Sequence, residues 1–228
     1  MNKLVMDRSA DLQLCTRREQ SHEELELVAT PSSDPNPNLL TCDGTVNYYG
    51  RILSDDEARK YYEALLTGVH WEHDEAIIFG KRIVTARKVA WYGDADYAYT
   101  YSGTTKRALA WTKEMLELKA RAEELTGRKF NSCLLNLYRD GSEGVTWHSD
   151  AEASLGKNTT IASLSLGAER KFCFRHKRKR QAISLILENG SLLVMKGTTQ
   201  TYWSHCLPKS KKINTPRVNL TFRTIVLQ

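Results

Sequence analysis

No stretch of the chain stays apolar for the roughly 20 residues that a helix needs to cross a bilayer, which argues against a helical membrane span. Nor does the N-terminus hold the uninterrupted apolar core of a signal peptide, because Asp7, Arg8, Asp11 and Gln13 fall where that core would lie. Both absences argue for a soluble intracellular protein, cytoplasmic in a prokaryote or nuclear in a eukaryote. Cysteine is scarce. Cys15, Cys42, Cys133, Cys173 and Cys206 are odd in number, scattered and never in a C-x-x-C pair, which argues against a disulfide framework and a zinc knuckle. They read as reduced, mostly buried thiols. No internal repeat is present.

What remains is an ordinary globular composition, 41% hydrophobic and 26% charged, over 228 residues, enough for one substantial catalytic domain plus a tail. The formal charge of +6 is concentrated in two stretches. One holds Arg170, Lys171, Arg175, Lys177, Arg178, Lys179 and Arg180, the other Lys209, Lys211 and Lys212. Their clustering fits an anionic partner, although either stretch alone reads equally well as a solvated loop. Residues 1–45 mix Glu19, Glu23, Glu24 and Glu26 with Pro31, Pro35 and Pro37, too little apolar matter for a core, and are expected to be a flexible leader to a domain over 46–228. A monomer is expected.

Ser54-Asp55-Asp56-Glu57 has capping-box spacing and predicts a helix over about 55–67. From 76 to 103 the residues turn β-rich, with Ile77-Ile78-Phe79, Ile83-Val84 and Val89-Ala90-Trp91-Tyr92 punctuated by Gly80 and Gly93, which predicts hairpins. Leu109, Leu116, Leu118, Ala122 and Leu125, closed by Gly127, predict a long helix over 105–126. Short strand-like runs follow at 133–138, 145–148, 160–166, 171–175, 183–187, 191–195, 201–206 and 217–227. The expected fold is α+β: a double-sheet jelly-roll core over about 130–228, braced by N-terminal helices.

His148-Ser149-Asp150 sets an imidazole and a carboxylate two residues apart, on one face if the segment is extended. His205 supplies a second imidazole, and two histidines with one carboxylate leave positions open on Fe(II). H-x-D alone is a common accident. The C-terminal run Arg217-Val218-Asn219-Leu220-Thr221-Phe222-Arg223 is more telling, because period two puts Arg217, Asn219, Thr221 and Arg223 on one face and Val218, Leu220 and Phe222 on the other. Two arginines turned inward carry a desolvation cost that an anionic ligand such as a dicarboxylate would remove. A solvated polar face is the alternative. Asn136-Leu137-Tyr138 offers an amide and a phenol on one face just before the metal ligands.

Taken together, Asn136-x-Tyr138, His148-x-Asp150, His205 and R-x-N-x-T-x-R resemble the AlkB family of Fe(II)/2-oxoglutarate-dependent dioxygenases over roughly residues 50–226, nearest its DNA-repair demethylases. The resemblance implies the double-stranded β-helix form of the jelly roll, with a β-hairpin nucleotide-recognition lid at about 76–103. It implies Fe(II) on His148, Asp150 and His205. It also implies 2-oxoglutarate as cosubstrate, its C5 carboxylate on Arg217 with Tyr138 and Asn219, its C1 end near Arg223 and Asn136, and Thr221 in the same row. The implied activity is oxidative demethylation of bases such as 1-methyladenine or 3-methylcytosine in single- or double-stranded DNA, with release of succinate, carbon dioxide and formaldehyde. Tyr99 and Tyr101 resemble the family's base-stacking pair, and Glu152 would accept from an exocyclic amino group. Phe79 would be an apolar wedge, with Arg87 on the following strand. Ala151 departs from the pattern, since relatives commonly carry an acidic residue there. The same residues also fit an RNA demethylase or another hydroxylase of the fold and, with less support, a catalytically inactive nucleic-acid-binding module.

Overall fold

The computed structural model describes the backbone of residues 36–78, 81–101 and 104–226, and the side chains of these except at 75–78, 81–83, 98–101 and 104–106. Of the segment read as a leader, residues 1–35 lie outside the described residues. Residues 36–44 pack on the domain: Leu40 is buried, and Asn38 bridges to Asn47 in the first strand, β1 (Thr45–Arg51). No helix among the described residues is long and apolar enough to cross a membrane.

Helix α1 (Asp55–Gly68) starts as the capping box requires, with the Glu57 N–H donating to Ser54 Oγ and the Ser54 N–H donating to Glu57 Oε2. Strands β2 (Glu72–Ile78) and β3 (Lys81–Gly93) form a hairpin. The two β-rich runs that sequence separates at 83–84 and 89–92 are one 13-residue strand, whose far half pairs with β6 (Ser132–Tyr138). A second, two-stranded hairpin joins β4 (Ala98–Tyr101) to β5 (Thr104–Arg107).

Helix α2 (Lys113–Thr126) starts eight residues later than its composition suggests. Thr104–Arg107 pair with β4 instead, and the backbone of Leu109 is held by Trp91 and Gly93, so sheet pairing outweighs the helix propensity of 105–112. Thr112 caps the first turn through the Met115 N–H, and Gly127 ends the helix in the left-handed region at φ 63°.

From β6 onward eight strands fill two sheets. The remaining seven are β7 (Val145–His148), β8 (Ile161–Gly167), β9 (Arg170–His176), β10 (Ala182–Leu187), β11 (Ser191–Lys196), β12 (Trp203–Leu207) and β13 (Arg217–Arg223). The larger sheet runs β1-β11-β8-β13-β6-β3-β2 and the smaller β10-β9-β12-β7, with antiparallel pairing throughout. This alternation between facing sheets is the expected jelly roll. Residues 201–202, expected to open the strand-like run 201–206, instead end a single helical turn, α3 (Thr199–Tyr202), before β12.

Two apolar clusters divide the core. Ala58 and Leu65 of α1 and Met115, Leu118 and Ala122 of α2 pack on Leu135, Leu164, Val218, Leu220 and Phe222, on the outer face of the larger sheet. Ile161, Phe174, Leu187, Leu193 and Trp203 form a cluster drawn from both sheets. Since Val218, Leu220 and Phe222 of β13 meet the helices, Arg217, Asn219, Thr221 and Arg223 must point the other way, into the space the sheets enclose, and all four are buried. The cysteines follow their expected chemistry where described: all four are free, Cys133 and Cys206 buried, Cys42 and Cys173 partly so.

Candidate metal and cosubstrate site

β7 and β12 are neighbours in the smaller sheet, and His148 and His205 are direct cross-strand partners with ring centroids 4.3 Å apart. Asp150 lies two residues past the end of β7, with Oδ1 3.6 Å from His148 Nε2. One ligand atom from each of the three residues lies within 4.8 Å of the others. His148 Nδ1 is 2.8 Å from the Thr146 carbonyl oxygen, which can only accept, so Nδ1 carries the proton and Nε2 presents its lone pair to the cluster. His205 is buried, and desolvation followed by the neighbouring His148 pushes its pKa down to about 3. It is therefore neutral, as a metal ligand must be.

The polar row of β13 runs away from this cluster. Arg223 begins it, with Nη2 3.3 Å from Asp150 Oδ2 and Nη1 3.8 Å from Glu152 Oε1. Arg217 ends it, donating from Nη2 to Ser165 Oγ at 2.9 Å and lying over the Tyr138 ring at 5.4 Å. Burial lowers the Arg217 pKa to about 10, which still leaves it a cation at neutral pH, and no carboxylate among the described residues is paired with it. The buried Nε atoms of both arginines have no hydrogen-bond partner among the described residues. Tyr138 and Asn136 sit opposite Arg217 and Asn219 in the β6–β13 register, and both are buried.

Two imidazole nitrogens, that of His148 with its tautomer fixed, and a carboxylate oxygen match the ligand set of Fe(II). Two buried guanidinium groups with unused donors match the two ends of a dicarboxylate. The residues present therefore fit both Fe(II) and 2-oxoglutarate.

Some expected residues take other partners. Asn219 gives its amide protons to Ser163 Oγ and the Leu164 carbonyl, and its oxygen accepts from Thr221, so both side chains brace the floor of the site through their own hydrogen bonds. Glu152 is buried against Arg223. Arg87 is ion-paired with Asp74 at 2.7 Å. Tyr99 and Tyr101 pair with Lys106 and Thr104 in the second hairpin, their side chains outside the described set, and Phe79 lies outside the described residues altogether.

Sequence reasoning missed Ser165 and Gln200 here and read Lys177 only as part of a basic stretch. Ser165 accepts from Arg217, Gln200 accepts from the Asp150 N–H, and Lys177 reaches Ser149. None carries a spacing signal of its own. Arg170 was counted with the basic stretch, yet it is 1% exposed and donates to the carbonyls of Asp140, Glu143 and Pro208, so it is a structural tie. The exposed cations are Lys171, Arg175, Lys177, Arg178, Lys179 and Arg180, with Lys209, Lys211 and Lys212 in the second stretch.

Cys42, Asp43 and His176 form another cluster of metal-binding residue types. Its hydrogen bonding argues against a cation. His176 Nδ1 accepts from the backbone N–H groups of Arg178 and Lys179, so Nε2 bears the ring proton and donates it to Asp43, which also holds the Lys179 ammonium at 2.6 Å. The Lys179 hydrogen bond, first among the causes, lowers the Asp43 pKa. The cluster fastens residues 42–43 to the β9–β10 turn.

The family model of the 2OG-Fe(II) oxygenase superfamily matches residues 45–223. The chain is 42% identical over 207 residues to the DNA oxidative demethylase ALKBH2 of Homo sapiens, covering 86% of this chain and 79% of that protein. It is 38% identical over 201 residues to ALKBH2 of Mus musculus, covering 82% and 81%. It is 35% identical over 239 residues to the alpha-ketoglutarate-dependent dioxygenase alkB homolog 3 of Mus musculus, covering 96% and 82%. The solved structure of OsALKBH1 superposes with a TM-score of 0.57 at 15% identity, over 81% of this chain and 98% of that one, a likeness of fold.

Proposed function

The chain belongs to the AlkB family of Fe(II)/2-oxoglutarate-dependent dioxygenases, and from that membership we propose that it removes methyl groups oxidatively from N-alkylated bases in DNA. The observation that carries the reading is the His148, Asp150 and His205 cluster beside two buried arginines whose Nε atoms have no partner among the described residues. When bound, Fe(II) and 2-oxoglutarate supply, with O2, the oxidising equivalents that hydroxylate the N-alkyl carbon, so that succinate, carbon dioxide, formaldehyde and the unmodified base are released.

The protein's part is to bind, orient and keep water out. Asp150 offers Oδ1 toward His148 while Arg223 engages Oδ2, which favours a single-oxygen carboxylate ligand. Arg217, steadied by Ser165 and stacked on Tyr138, would take the far carboxylate of 2-oxoglutarate in a bidentate pair, and Arg223 with Asn136 would face the near end. Phe172 and Phe174 pack their rings against His205, at 5.4 and 6.1 Å, and close that side to solvent.

Substrate handling is proposed as follows. Methylated adenine and cytosine of this type are cationic and pair weakly, which lowers the cost of flipping them out. Tyr99, Tyr101 and His148 would enclose the base, Glu152 would meet its amino group, and Phe79 with Arg87 would act at the duplex. The exposed cations at 178, 180, 209, 211 and 212 would meet phosphates. The chain is proposed to act as a monomer inside the cell.

The test is Fe(II)- and 2-oxoglutarate-dependent loss of methyl mass from oligonucleotides carrying 1-methyladenine or 3-methylcytosine, single- and double-stranded, with formaldehyde counted. Succinate formation without repair of any DNA substrate would overturn the DNA assignment and direct the search to RNA.

A further inference from the structure

The pairing of β7 with β12 fixes His148 against His205, but it does not reach Asp150, because β7 ends at His148. The carboxylate ligand stands on a turn with no ladder hydrogen bonds of its own, and a loose turn would have to be ordered at the expense of metal affinity. The structure holds that turn from two sides. Arg223 engages the carboxylate itself. On the backbone side, the Asp150 N–H donates to Gln200 Oε1 at 2.9 Å. Lys177 Nζ donates to Ser149 Oγ at 2.8 Å and to the Gln200 backbone carbonyl at 3.0 Å.

The chemistry of each partner suits this role. Gln200 is 6% exposed, and only an acceptor oxygen can face the Asp150 N–H, so its amide nitrogen turns to the sulfur of Met195, 3.3 Å away. Lys177 has several donors on one nitrogen and uses two of them to tie Ser149 to Gln200, residues far apart in sequence. Gln200 belongs to α3, which leads directly into β12, and Lys177 directly follows β9, the strand on the other side of β12. The clamp is therefore built from the segments that adjoin β12, the strand that carries His205.

We propose that Gln200 and Lys177 are positioning residues that set the Ser149–Asp150 turn in its ligating conformation before the metal arrives. This rests on Asp150 being an iron ligand. Neither residue belongs to the cluster of His148, Asp150 and His205. Gln200 fixes the peptide that orients Asp150, and Lys177 fixes Gln200 and Ser149 relative to each other.

The experiment uses the metal-free full chain and Mn(II), without 2-oxoglutarate or substrate. Mn(II) affinity is read from the EPR signal of the free ion, and exchange of the Asp150 amide proton is read in the protein before metal is added. Gln200→Leu and Lys177→Met should each raise the Mn(II) Kd about 10- to 100-fold, the usual effect of losing a partner that orients a ligand. Both should speed exchange of the Asp150 amide. Gln200→Glu, which keeps an acceptor oxygen, and Lys177→Arg, which keeps donors, should recover most of the affinity. Asp150→Asn is the reference. Undiminished Mn(II) binding in Asp150→Asn would remove the ligand assignment itself. Loss of binding there, with wild-type affinity and amide exchange in Gln200→Leu and Lys177→Met, would overturn the positioning role alone. Lys177 is exposed, so Lys177→Met decides the matter even if the buried Gln200 variant fails to fold.

Discussion

Arg223 Nη2 lies 3.3 Å from Asp150 Oδ2, which joins β13 to the segment that carries the proposed carboxylate ligand. Glu152 lies on the same guanidinium, at 3.8 Å from Nη1, so one arginine orders both acidic residues of the turn. A lysine would keep the charge but offers a point contact in place of a planar fork. Arg223→Lys is expected to lower kcat about 10- to 100-fold while leaving the melting temperature within a few degrees, measured as succinate formation at saturating 2-oxoglutarate. Wild-type kcat in this variant would mean that Asp150 needs no such support.

Arg217 is a buried cation of the site with no carboxylate partner among the described residues, so its effect should fall on the cosubstrate. Arg217→Met removes the donors and keeps the bulk. Truncating one side of a buried charged pair costs roughly 2–5 kcal/mol, so the KM for 2-oxoglutarate should rise by about 30-fold or more. Titration of the Mn(II)-loaded protein with 2-oxoglutarate checks this, and unchanged affinity would move the far carboxylate elsewhere.

How much of this is legible in sequence follows from what each residue's neighbours share with it. The alternation in Arg217–Arg223 is periodic, so its polar row could be read directly, and the apolar set Val218, Leu220 and Phe222 does face the helices. The cluster proposed to hold the metal could be nominated because three metal-binding residue types fell in a known order. Its geometry could not: β7 stops before Asp150, and the turn is shaped by Gln200 and Lys177, which lie 50 and 27 residues away and carry no spacing signal. The onset of α2 was misplaced for a similar reason, since nothing local records that residue 109 hydrogen-bonds with 91 and 93.

Arg170 makes the same point with a measurable consequence. In sequence it is one of seven cations between 170 and 180, but strand register turns it inward, where three backbone carbonyls accept from it. Arg170→Met would leave those carbonyls short of a charged donor and should cost about 3 kcal/mol or more, read from urea unfolding of the metal-free protein. The double substitution Arg178→Ala with Arg180→Ala, at exposed positions, should leave stability within about 0.5 kcal/mol. It should instead weaken oligonucleotide binding and flatten its salt dependence. Equal destabilisation by the two sets would contradict the inward placement of Arg170.

His205 sets the last expectation, a pH dependence of folding. Its ordinary pKa is 6.5, and in the folded chain burial first, then the neighbouring His148, pushes it down to about 3. Above about 6.5 both the folded and the unfolded forms are neutral, and the group adds no pH dependence. As the pH falls below that value the unfolded chain takes up a proton that the folded chain refuses, so stability is lost progressively down to about 3, where the folded form also accepts one. Metal-free wild type should therefore show a falling melting temperature through this window, and His205→Gln, which cannot titrate, a shallower fall. Parallel curves for the two proteins would mean that His205 takes its proton without loss of fold, and that the pocket between His148 and Phe174 is wetter than its burial indicates.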